Sequence, residues 1–95
     1  MDDEERDEPG GVSPRQAFGQ VMRELRRKRG ISQERLGQEA GFHRTYVSLL
    51  ERGIKSPSLN ALFELASVLD TTVTELVRQA EARVSRLPNR DAPRH

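Results

Sequence analysis

The sequence predicts an all-α fold of five helices. Three observations carry that expectation: apolar residues recur at helical spacing through the central stretch, most of these stretches open on a residue suited to cap a helix, and no segment reads as a strand. Alternating runs of Val, Ile, Thr or aromatic residues are missing, and so are Asn-Gly and Asp-Gly hairpin turns.

The first helix opens at Ser13-Pro14-Arg15-Gln16, with Ser at the N-cap, Pro at the first helical position and Gln in capping-box register. Ala17, Phe18, Val21, Met22 and Leu25 form its inner stripe. Gly30 ends it after a basic turn, Arg26 to Arg29, that suits the negative end of the helix dipole. Ser32 caps a short second helix through about Ala40, with Leu36 and Ala40 inward and Gly41 turning the chain. A third helix runs from about Arg44 to Arg52, sends Val47 and Leu50 inward, and stops at Gly53. Pro57-Ser58 opens the fourth, with Leu59, Leu62, Phe63, Ala66 and Leu69 expected on its buried face. Thr72 to Glu75 reads as a second capping box, starting a fifth helix whose apolar positions are Val73, Leu76, Val77, Ala80, Val84 and Leu87.

A chain of 95 residues makes one small domain. Residues 1–12 carry six acids, one base and only Val12 for burial, so they read as a disordered acidic tail. Residues 13–87 form the folded unit, and residues 88–95, with two prolines, read as a disordered C-terminal tail. Outside the acidic tail the balance is 15 bases against 9 acids, a net charge of +6. That charge has two readings, attraction to a polyelectrolyte such as nucleic acid or a solvated surface. With no cysteine and only His43 and His95 as imidazoles, thiol chemistry and most metal sites are excluded. No catalytic constellation appears, so no enzyme, cofactor or metal is expected. No apolar run approaches the ~20 residues that span a bilayer, and there is no signal-peptide pattern, so the expected address is the cytoplasm and no membrane partner is expected.

The stretch Ser32 to Gly53, SQERLGQEAGFHRTYVSLLERG, joins two short helices through a turn containing Gly41. That is a helix-turn-helix, whose second helix lies in the DNA major groove. Ser32-Gln33, Leu36, Ala40-Gly41, Val47-Ser48, Glu51-Arg52-Gly53, Pro57-Ser58 and Leu62 through Leu69 follow one another as in the lambdoid phage repressor and xenobiotic-response-element (XRE) regulators, which residues 14–80 resemble. Within that group, Arg44 to Ser48 followed by Glu51-Arg52 is similar to the controller proteins of restriction-modification systems. The resemblance implies a sequence-specific transcriptional regulator of double-stranded DNA. It also implies a phosphate contact by Gln33 and an orienting ion pair between Arg26 and Glu51.

The residues themselves agree. Arg44, Thr45, Ser48 and Leu49 occupy one side of the third helix, away from Val47 and Leu50. Arg44 is suited to the O6/N7 edge of guanine or to a phosphate, and Thr45 and Leu49 offer methyl groups to thymine. Gln33, Tyr46, Arg52 and Lys55 are candidates for the DNA backbone. His43, at the N-cap of the third helix, is either a further backbone contact or a tolerated loop residue. Leu76, Ala80, Val84 and Leu87 continue an apolar stripe that predicts a homodimer through the fifth helix, placing two recognition helices on a pseudo-palindromic operator. The competing function is a protein-interaction module such as an antitoxin, with a protein partner. Asp70 stands where the family often has glycine.

Overall fold

A computed structural model describes residues 11–84, and these hold five α-helices: α1 (Pro14–Arg29), α2 (Gln33–Ala40), α3 (Arg44–Glu51), α4 (Leu59–Val68) and α5 (Val73–Arg83). Local chemistry sets where each begins. Ser13 accepts from the amide of Gln16 at 3.2 Å, and the Gln16 side chain accepts from the Ser13 amide at 2.9 Å, a complete capping box. Ser32, Ser58 and Thr72 each accept from an amide three residues on, at 3.0 Å. The box expected at Thr72 is only half made. Glu75 turns instead to Arg78 and Gln79, whose hydrogen bonds hold its carboxyl down to about 2.

α1 packs on α3 and α5, α2 on α3 and α4, and α4 on α5. The enclosed core draws Val21 and Met22 from α1, Leu36 from α2, Val47 and Leu50 from α3, Ala61 and Leu65 from α4 and Leu76 from α5. Two close approaches are made possible by missing side chains. A Cβ on Gly19 would lie 2.5 Å from the carbonyl oxygens of both Leu50 and Glu51, so α1 lies directly on the end of α3. A Cβ on Gly37 would lie 2.5 Å from the Phe42 carbonyl, so the α2–α3 corner closes onto the last turns of α2.

Two expectations of burial are corrected. α4 is rotated from the face assigned to it: Ala61, Leu65, Ala66 and Leu69 are buried and Leu62 is half-buried, while Leu59 and Phe63 stand out in solvent. Val77 on α5 is likewise exposed. Of the stripe expected to dimerise, Leu76 and Ala80 are buried in the core of the single chain and Val84 packs against it. Val84 is also where α5 ends, in extended backbone, and Leu87 lies outside the described residues. A bidentate Arg83 to Glu24 pair, at 2.6 and 2.9 Å, ties the end of α5 to α1. Val12, assigned to the N-terminal tail, is half-buried against the core, whereas residues 1–10 of that tail and the C-terminal tail lie outside the described residues.

Asp70 is the one residue other than glycine with positive φ, 61°, among the described residues. Aspartate tolerates the left-handed region better than most side chains but less well than glycine. Asp70→Gly is therefore expected to stabilise the fold by about 0.5–1 kcal/mol, raising the melting temperature by a few degrees in a thermal unfolding scan.

Candidate nucleic-acid interface

The geometry of the site begins with a buried charge. Glu51, the last residue of α3, has a side chain with no exposure, and a carboxylate in that position must be paired. Arg26 of α1 donates from Nε to Oε2 at 2.6 Å and from Nη2 to Oε1 at 2.9 Å. Gln33 of α2 donates from Nε2 to Oε1 at 2.9 Å, and Arg23 donates from Nε to the same oxygen at 3.4 Å. Burial pushes the Glu51 carboxyl up, but the hydrogen bonds from Arg26 and Gln33, the Arg26 charge and the Arg23 bond together hold it below the usual range. The Glu51 hydrogen bond raises the guanidinium of Arg26 in turn. Arg26 also donates from Nη1 to the Ile31 carbonyl at 2.9 Å, fixing the entry to α2.

α3 is thus seated on α1 and α2, and its outer side is left to solvent. Arg44 and Thr45 are exposed, Ser48 and Leu49 half-exposed, and all four lie opposite the buried Val47 and Leu50. Ser48 is not free of its neighbours, since its hydroxyl accepts from Arg52 Nε at 3.2 Å. At the N-terminus, His43 Nδ1 accepts from the Thr45 amide at 3.0 Å. An imidazole that accepts at Nδ1 carries its proton on Nε2 when neutral, so His43 caps the helix with one nitrogen and offers a donor with the other.

Around this helix, Arg52 and Lys55 are exposed at its far end. Tyr46 is half-buried, its ring 4.9 Å from that of Phe42 and tilted by 48°, so it is partly used in packing the α2–α3 corner. Gln33 is less available than a surface glutamine. Its Oε1 cannot donate and one hydrogen of Nε2 is given to Glu51, which leaves one amide hydrogen for a ligand. That hydrogen sits at the start of α2, where the first-turn amides have no helical acceptor. Sequence reasoning missed Arg23 in the Glu51 network. The signal was present, because Arg23 and Arg26 are three apart on α1 and share a face. Among the described residues no cluster of His, Cys, Asp and Glu could hold a metal ion, and no helix is long and apolar enough to cross a membrane.

The profile of the helix-turn-helix family matches residues 22–76. An HTH-type transcriptional regulator of Sinorhizobium fredii is 40% identical over 63 residues, which is 66% of this chain and 82% of that protein. The restriction-modification controller protein C.AhdI from Aeromonas hydrophila superposes with a TM-score of 0.64 at 44% identity, covering 65% of this chain and 94% of that one. SinR, a master regulator of biofilm formation solved in complex with DNA, superposes with a TM-score of 0.61 at 33% identity, over 63% of this chain and 97% of that one.

Losing Glu51 leaves Arg26, whose side chain is only 11% exposed, without its partner. Glu51→Gln is expected to cost about 3 kcal/mol in chemical denaturation, the low end for a broken buried pair because Arg26 keeps the Ile31 carbonyl. The pH dependence has a definite sign. Glu51 is lowered from an ordinary value of 4.5, so its contribution is complete above that value and disappears as pH falls through the lowered one, where the unfolded chain binds the proton first. Glu24 is lowered too, chiefly by its Arg83 hydrogen bond, but that pair is exposed and salt weakens it. Melting followed from pH 7 to pH 3 at about 0.5 M salt should show a steeper acid loss for the native chain than for Glu51→Gln.

Proposed function

The chain belongs to the helix-turn-helix family of DNA-binding transcriptional regulators, and on that premise we propose that it works as a homodimer reading a pseudo-palindromic operator in the major groove. The observation that carries this reading is the outer side of α3. A short helix that exposes Arg44, Thr45, Ser48 and Leu49 while its inner side is locked by a buried carboxylate presents fixed donors and methyl groups to base edges.

In this reading Arg44 donates to the O6/N7 edge of a guanine, and Thr45 and Leu49 meet thymine methyl groups. Ser48 contributes through a hydroxyl already held by Arg52. Backbone contacts flank the helix. The spare amide hydrogen of Gln33 and the free amides of the first α2 turn take one phosphate, and His43 Nε2–H takes another. Arg52 and Lys55, at the far end, supply cations whose counterion release adds affinity without sequence preference. Tyr46 contributes at the rim with whatever of its ring the Phe42 contact leaves open. Two copies related by a two-fold would set their recognition helices about 34–36 Å apart, one turn of DNA.

Selection of bound sites from random duplex DNA at near-physiological salt tests the reading. Enrichment of a two-fold symmetric motif is the expected result, and recovery of no motif would move the function to a protein-interaction module. Against the selected site, Arg44→Ala should lose about 1–3 kcal/mol and relax preference at one base pair. Lys55→Ala should weaken all sequences alike and reduce the salt slope by about one. Uniform loss for both variants in competition binding would refute these roles.

A further inference from the structure

α3 lies among cations that no described carboxylate balances, and residues 2–8 hold the opposite excess. Arg44, Arg52 and Lys55 are exposed, and among the described residues none of them has a carboxylate in ion-pair range. Elsewhere the arginines are mostly paired: Arg23 and Arg26 with Glu51, Arg29 and Arg35 with Glu39, Arg78 with Glu75 and Arg83 with Glu24. Residues 2–8 carry six acids and one base, a net charge of −5.

The point at which this acidic run joins the folded unit is set by described residues. Val12 packs against the core, and Ser13 caps α1. The first turn of α1 lies on the turn that follows α3, where a Cβ on Gly53 would come within 2.9 to 3.2 Å of Gln16 Cγ, Cα and N. Arg52 stands one residue before that glycine and Lys55 two after it. Arg15, also in the first turn of α1, has its Nε enclosed with no acceptor among the described residues. Residues 2–10 can span up to about 30 Å, whereas α3, with eight residues, is about 12 Å long. A run rooted beside Lys55 therefore reaches Arg44 as well.

We propose that residues 2–8 dock on Arg52 and Lys55 and extend along α3 toward Arg44, occupying within one chain the surface offered to DNA phosphate. The inference rests on the DNA-binding reading above and adds its regulation, since duplex must displace the run in order to bind. Two arguments select this occupant over an unattached one. Arg52 gives Nε to Ser48 and keeps both Nη groups for an acceptor, and a carboxylate fills that fork as a phosphate does. A tethered segment is also present at about millimolar effective concentration, which falls as the connecting chain lengthens. That favours Arg52 and Lys55 over Arg27 and Lys28, which lie about 18 Å farther along α1 than Gln16. A run that occupies the surface about nine-tenths of the time lowers the apparent affinity for DNA about tenfold.

A nitroxide attached at Asp3→Cys, in a full chain with no other cysteine, tests the contact without DNA. At about 50 mM salt it should broaden the amide signals of Arg52, Gly53 and Lys55 more than those of Lys28 and Val77. The broadening should fall at about 0.5 M salt, and in Arg52→Gln combined with Lys55→Gln. The full-length variant D2N/D3N/E4Q/E5Q/D7N/E8Q should bind duplex DNA about tenfold more tightly at about 50 mM salt, with the gap closing toward about 0.5 M. Broadening that is uniform, strongest at Lys28 or indifferent to salt would overturn the docking. Docking without any gain in affinity for the six-fold variant would overturn the competition. A salt-sensitive contact in a chain that binds no DNA in either form would uphold the docking and refute the DNA-binding reading, and a selected operator without the contact would do the reverse.

Discussion

One carboxylate organises the helix-turn-helix of this molecule. Glu51 closes α3 with its side chain fully enclosed, and a charge taken out of water is tolerable only where donors surround it. Those donors come from two other helices: Arg23 and Arg26 from α1, and Gln33 from the first position of α2. Because each bond requires its own direction, the three helices have little freedom to rotate without stranding the charge. Gly19 removes the side chain that would otherwise hold α1 away from the Leu50 and Glu51 carbonyls. Placement of the recognition helix thus rests on a polar constraint, with the apolar core supplying bulk stability around it.

The same constraint decides which side of α3 is exposed. With Glu51, Val47 and Leu50 committed inward, the 3.6-residue repeat leaves Arg44, Thr45, Ser48 and Leu49 outward. The α2–α3 turn reinforces the arrangement at the other end. Gly37 lets the Phe42 carbonyl approach the α2 backbone, and His43 closes the first turn of α3 through Nδ1. Histidine is an unusual N-cap, yet it leaves Nε2–H pointing away from the capped amide. A serine there would cap through a hydroxyl whose O–H stays at the helix end, whereas the imidazole sets its donor on the far side of the ring.

Local chemistry was readable from the sequence, and tertiary choice was not. The caps at Ser13, Ser32, Ser58 and Thr72 depend on residues three apart, so each helix start was legible. The pairing of Arg26 with Glu51 became legible only through family resemblance, since 25 residues separate the partners. α4 shows where pattern fails. Its sequence, LNALFELASV, is apolar on more than one side, so two different stripes satisfy helical spacing. Spacing suggested Leu59 and Phe63 for the core, but α4 packs with the stripe that contains Ala61 and Leu65 inward. On α5 the stripe was legible, but periodicity cannot tell a neighbour in the same chain from one in another, and Leu76 and Ala80 are buried within the single chain.

The rotation of α4 separates two kinds of surface that respond oppositely to solvent conditions. Around α3 lie Arg44, Arg52 and Lys55, whose attraction to phosphate depends on released counterions and falls steeply with salt. On α4 lie Leu59 and Phe63 in a nearly uncharged stretch, an apolar surface that salt does not screen and whose exposure excluded salts make more costly. Joining the two is a short turn whose amides are bonded to the Leu49 carbonyl, so the end of α3 and the entry to α4 are held together without a flexible linker.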